Sequence, residues 1–277
     1  MDYNIVKFFN NLNDFIGFFF KIFTLLGEAL VVGFIFFVIY TLIDKKLGYK
    51  LGIALIISTL FNNMTKGLVD RLRPFQKYDD IIVRNSFLGE THTSSSFPSG
   101  HTQVISTFLF FLCYYYKKYK YLLLSSLIIL LVGLSRLYLG VHYLTDVLFA
   151  ILLSFIIINI LFKVNKKYLK YLLYILFIIS PILIIFIKDR GLESYLKSLA
   201  LFYGYFIGTF IEKKYINFEI PNSFKNKSIR LLLSGIILIS IYLILKLLID
   251  DLVFIRYLIL SFSAFLLLPY LYKKFSF

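Results

Sequence analysis

The chain has 277 residues, 60% of them hydrophobic, with 32 Phe, 22 Tyr and no Trp, and its mean hydropathy is +0.83. Recurrent apolar runs of about 18 residues or more, each able to cross roughly 30 Å of hydrocarbon, exclude an ordinary soluble domain. The formal charge of +15 sits in short loops between these runs, where it orients membrane helices, and this distribution argues against nucleic acid as a partner.

Residues 3–22 carry Ile5, Phe8, Phe9, Leu12, Phe15 and Ile16 at helical spacing, interrupted by Asn10, Asn11, Asn13 and Asp14. This pattern predicts an interfacial amphipathic helix over 1–22. It lacks a basic n-region and a small-residue cleavage site, so a cleavable signal peptide is not expected. Spans are predicted at about 23–43, 51–69, 99–116, 121–137, 143–162, 169–187, 195–212, 230–249 and 252–271. The fold class is thus all-α: a polytopic helical membrane bundle of about nine transmembrane helices plus the N-terminal interfacial helix.

Basic segments at 44–50, 117–120, 163–170, 212–230 and 272–277 fall at every second junction. The positive-inside rule then puts the N-terminus outside and the C-terminus inside a plasma membrane. The single cysteine, Cys113, lies in an apolar run; it excludes an intramolecular disulfide and is read as a small core hydrophobe. Ser180-Pro181 predicts a kink in the sixth span. Gly204 and Gly208 form a small-xxx-small pair suited to close helix packing or to a homodimer through the C-terminal spans.

Three polar clusters fall at outer span ends. In "KGLVDRLRP", residues 66–74, Lys66 and Arg73 are seven apart and share a helix face, and Pro74 ends the helix. Asp70, four after Lys66, is read as its surface partner or a helix-face filler. In "SSSFPSGHTQ", residues 94–103, Ser99 is an N-cap, Gly100 lets backbone approach a ligand, and His101 stands in the first turn. A helix start of this kind attracts anions. In "SRLYLGVHYLTD", residues 135–146, His142 and Asp146 are four apart, so the carboxylate can fix the imidazole tautomer and leave the other nitrogen nucleophilic. Gly140 is predicted to break the helix so that Arg136 and His142 face one volume. Read singly, each cluster also fits a plainer role: a snorkelling anchor, a common helix start, a satisfied interfacial histidine. Together, their converging cations and helix N-termini suit a phosphate. His92, in the loop before Ser94, has no such partner and is read as solvated.

These segments resemble the type 2 phosphatidic acid phosphatase superfamily, which shares its site with vanadium haloperoxidases. The family pattern is K-x6-R-P, then P-S-G-H, then S-R-x5-H-x3-D, and all three occur here without departure. The resemblance implies that His142 attacks phosphorus to form a phosphohistidine, oriented by Asp146. His101 is then general acid, and afterwards general base toward water. Lys66, Arg73, Arg136, Ser99 and the Gly100 N–H would hold the phosphoryl oxygens. No metal or other cofactor is implied, and the sequence has no Asp/Glu cluster of the kind that binds Mg²⁺. The expected organisation is a phosphatase core over 23–163 and an additional four-span region over 164–277. The expected function is hydrolysis of a lipid phosphate or diphosphate at the outer face: undecaprenyl diphosphate, phosphatidylglycerol phosphate or phosphatidic acid. A phosphotransferase using the same phosphohistidine and a non-enzymatic lipid or anion transporter are the alternatives.

Overall fold

Short polar residues decide where several helices begin. In the computed structural model, which describes residues 2–87 and 93–275, Asn13 accepts from the Ile16 N–H, Ser99 from the Thr102 N–H and Asn165 from the Lys167 N–H. The helices that follow are α1 Asp2–Asn10, α2 Asp14–Leu25, α3 Ala29–Val38, α4 Lys45–Val69, α5 Pro74–Lys77, α6 Gly100–Tyr115, α7 Leu122–Tyr138, α8 Leu144–Lys163, α9 Lys166–Ile182, α10 Asp189–Ile211, α11 Phe224–Leu248, α12 Val253–Phe262 and α13 Leu268–Phe275. No strand occurs among the described residues. The expected N-terminal helix is two helices, because Asn11–Asn13 end one and cap the next.

Six helical stretches are long and apolar enough to cross a membrane: Lys45–Lys77, Tyr119–Tyr138, Leu144–Lys163, Lys166–Phe186, Phe224–Leu248 and Val253–Phe275. A seventh is added if Asp14–Leu25 and Ala29–Ile43, bent by 42° at the break between them, count as one span. Two of the nine expected spans fall short of this test. At 16 residues, α6 is about 24 Å long, and α10 carries Asp189, Arg190, Glu193 and Lys197 on its first half. The first expected span, 23–43, begins inside α2 and contains the break at 26–28.

The chain divides into two compact units, Met1–Phe34 with Ile57–Leu192, and Ile35–Ile56 with Glu193–Phe277. In the first, α6 packs along α8 and α7, and α2 along α7. A buried polar ladder joins α4, α6 and α8. Ser58 Oγ lies 2.7 Å from Thr107 Oγ1, Asn62 donates to Gln103 Oε1 (2.6 Å), Gln103 donates to Ser58 O (2.9 Å), and Ser154 Oγ donates to Gln103 O (3.0 Å). In the second unit, Arg230 of α11 donates to the carbonyls of Thr41 and Glu219, each at 3.0 Å, with its guanidinium 4.3 Å from the Tyr272 ring. Lys45 pairs with the buried Glu212 at 2.7 Å. The small residues Gly204 and Gly208 receive Ser261 and Phe265: a Cβ on Gly204 would lie 2.4 Å from Ser261 Cβ. Cys113 is buried against Ser125, and Pro181 lies inside α9 just before it tightens into a 3₁₀ turn at Leu183–Phe186.

The ladder predicts that Gln103→Ala, which strips partners from Asn62 and Ser58, destabilises the protein by about 1–2 kcal/mol. Thermal unfolding in detergent, followed by circular dichroism, checks this as a lowered Tm with an unchanged helical spectrum.

Candidate active site

Three chain segments converge at one end of the first unit. Helix α4 delivers Lys66 one turn before its end; Asp70 then takes a left-handed conformation (φ +52°) and turns the chain toward Arg73, the residue preceding α5. Pro74 suits that position because the first helical residue has no use for its missing N–H. Asp70 does not pair with Lys66. The helix has ended, so the four-residue spacing no longer brings them together, and Asp70 pairs with Arg190 at 3.2 Å. The same α9–α10 segment clamps the end of α4: Lys188 N–H donates to Gly67 O (3.0 Å), a Cβ on Gly191 would lie 2.3 Å from Gly67 Cα, and one on Gly67 would lie 2.5 Å from the Ile187 side chain.

Lys66 and Arg73 are both buried, and both hold the loop before α6. Lys66 Nζ donates to Ser95 O (2.7 Å); Arg73 donates to Ser94 O (2.9 Å) and to Val141 O (3.1 Å). Ser99 is fully buried, with its hydroxyl at the helix start 2.9 Å from Thr102 Oγ1. Among the described residues, a Cβ on Gly100 would meet only Asn62 Oδ1, at 3.8 Å. His92 lies outside the described residues.

The third segment bends as its glycine predicts. Gly140 has φ +73°, and a Cβ there would lie 2.7 Å from Ile82 O, so both backbone angle and space demand glycine. The break lets Arg136, at the end of α7, and His142, before α8, occupy one region although six residues separate them. His142 Nδ1 lies 3.4 Å from Asp146 Oδ2. The fully buried Asp146 also accepts from the Tyr143 N–H (2.9 Å) and from Ser96 Oγ, while Arg71 Nη1 donates to its other oxygen at 2.7 Å. With Nδ1 toward the carboxylate, Nε2 is the nitrogen left for attack. Burial, then Arg73, Lys66, Arg136 and His101, push His142 well below the ordinary histidine value of 6.5, which keeps it neutral.

Sequence spacing missed four residues that touch this site. Arg71 and Ser96 bind Asp146; Arg71 sits in the variable stretch of its motif, in coil, and Ser96 is one of three consecutive serines. Thr24 accepts from Arg136 Nη1 (2.6 Å), and Glu28 Oε1 lies 3.2 Å from His101 Nε2. Among the described residues, no group of three or more His, Cys, Asp or Glu is arranged to hold a metal.

Residues 47–170 match the PAP2 superfamily, and residues 196–277 match the transmembrane extension of PAP2 superfamily phosphatases. A phosphatidylglycerophosphatase B of Bacillus subtilis is 36% identical over 98 residues, covering 32% of this chain and 43% of that protein. An undecaprenyl-diphosphatase of Sulfolobus acidocaldarius is 32% identical over 105 residues, covering 38% of this chain and 48% of that protein. The matched stretch therefore spans less than half the length of either relative. No solved structure matches the chain.

The depressed His142 pKa fixes a sign. The native ring takes up its proton at lower pH than in the unfolded chain, so stability declines as pH falls from about 6.5 toward the native midpoint. Arg73→Gln removes the first-ranked cation and should raise that midpoint, as read by ¹⁵N chemical shifts of the imidazole; an unmoved or lowered midpoint contradicts the assigned electrostatics.

Proposed function

Because the chain belongs to the PAP2 superfamily, we propose that it is an integral-membrane phosphatase that cleaves a lipid phosphate or diphosphate through a phosphohistidine on His142. The observation that carries this reading is the His142–Asp146 pair, a neutral imidazole oriented by a buried carboxylate. An anion binder needs the cations; it does not need an oriented nucleophile.

The steps follow from the placement of the side chains. His142 Nε2 attacks phosphorus as the bond to the leaving oxygen breaks, and His101 gives that oxygen a proton. Lys66, Arg73, Arg136 and the first N–H groups of α6 stabilise the charge on the equatorial oxygens. Water then attacks the phosphohistidine and passes its proton to His101, and inorganic phosphate departs. The nucleophile and the positive charge all come from side chains, so the chemistry calls for no metal. The names of the two relatives favour phosphatidylglycerol phosphate and undecaprenyl diphosphate as substrates, with phosphatidic acid the third. Counting the bent pair, α6 and α10 as spans gives nine, with a core over 23–163, a four-span region over 164–277, and the site at the outer face of the plasma membrane.

The test is phosphate release by detergent-purified wild type and His142→Ala, with EDTA present, from those three lipids. Release should survive EDTA and fall by ~10³-fold or more in the variant. Hydrolysis unchanged in His142→Ala would sink the mechanism.

A further inference from the structure

The break between α2 and α3 belongs to none of the three motif segments, yet it reaches two of them. Gly27 lies against the first turn of α6: a Cβ on it would fall 2.9 Å from His101 Cβ and 3.0 Å from His101 O. Val132 Cγ1 would lie 2.8 Å from the same Cβ, so only a residue without a side chain permits this approach, and it sets the next residue beside the His101 ring. Glu28 Oε1 is 3.2 Å from His101 Nε2, with the two side chains only 11% and 16% exposed. One turn earlier, the fully buried Thr24 accepts from Arg136 Nη1 at 2.6 Å. A carboxylate in so apolar a stretch, "TLLGEAL", is costly unless it serves a partner, and its partner here is the acid–base histidine.

We infer that Glu28 is a positioning residue for His101, and that Thr24, Gly27 and Glu28 form a fourth site segment serving the leaving-group step. The inference rests on the phosphatase reading of the same site. With Nε2 facing Glu28 across 3.2 Å, the proton that His101 exchanges is assigned to Nδ1. In the first half-reaction that proton goes to the leaving oxygen as the P–O bond breaks and the His142 N–P bond forms. His101 is left neutral, its remaining N–H toward the carboxylate. In the second, water adds its oxygen to phosphorus, the N–P bond breaks, and the water proton returns to Nδ1. Glu28 stabilises the imidazolium that starts and ends this cycle, as a carboxylate does for any nearby cation.

A residue acting through the general acid matters in proportion to the basicity of the leaving oxygen. Glu28→Gln, Glu28→Asp, His142→Ala and wild type are compared in detergent on dioctanoyl phosphatidic acid, which expels an alkoxide, and on p-nitrophenyl phosphate, which expels a phenolate needing no proton. For Glu28→Gln, kcat on the alkyl ester should fall at least ~10-fold, while first-turnover release of p-nitrophenolate stays near wild type. Glu28→Asp, which keeps a shortened carboxylate, should fall between, and it carries the same comparison if the Gln variant does not fold. Equal losses on both substrates, or none on either, overturn the role given to Glu28 and leave the phosphatase reading standing. A wild type that cleaves neither substrate, nor phosphatidylglycerol phosphate or undecaprenyl diphosphate, overturns that reading and this inference with it.

Discussion

The site is organised around one buried negative charge. Asp146 is inaccessible to solvent, and leaving a lone carboxylate there would cost several kcal/mol. Its oxygens are met from three directions: by Arg71 after α4, by Ser96 before α6, and by the Tyr143 N–H and the His142 ring beside α8. Its backbone oxygen also accepts the Ser99 N–H at 3.1 Å. Three segments far apart in sequence are thus tied to one side chain, and the His142 ring lies against the group that ties them.

Around this anion the cations outnumber it. Lys66, Arg73 and Arg136 all act on the His142 ring, together with His101. The carbonyls of Ser94, Ser95 and Val141 hold Lys66 and Arg73 in place, and the Thr24 hydroxyl holds Arg136. Carbonyls and hydroxyls fix a cation's position without cancelling its charge. The field is therefore set before an anion arrives, which is the condition for strong transition-state stabilisation. The same field keeps the His142 imidazole unprotonated, so cations suited to an anion also hold the ring neutral.

The three motif segments are legible from residue type and spacing: His142 and Asp146, four apart, meet at 3.4 Å although His142 precedes α8, and the Gly140 break stands in an otherwise apolar run. What escaped was tertiary. Asp70 was read as Lys66's partner from a four-residue spacing that holds only while the helix continues, and α4 ends at Val69. Arg71 lies in coil, where no periodicity assigns it a direction. The corner at 26–28 was hidden inside a continuous apolar stretch, and its meaning depends on how closely Gly27 approaches α6. Span limits were blurred for a related reason. A 16-residue α6 and a half-polar α10 take their places by packing on neighbours, so hydropathy alone does not delimit them.

An enzyme in a bilayer that uses water as a reactant must admit it to phosphorus without opening a route for protons across the membrane. The side chains behind Gly100 bear on this. Ser58, Asn62, Gln103, Thr107 and Ser154 would look from the sequence like stepping stones for a water file through the bundle. They are hydrogen-bonded to one another, with Thr107 Oγ1 donating to Ser154 at 3.1 Å and Gln103 to both oxygens of Ser58. A file of water would have to break several of these bonds at once. The ladder beneath the site therefore opposes a continuous file of water through the bundle.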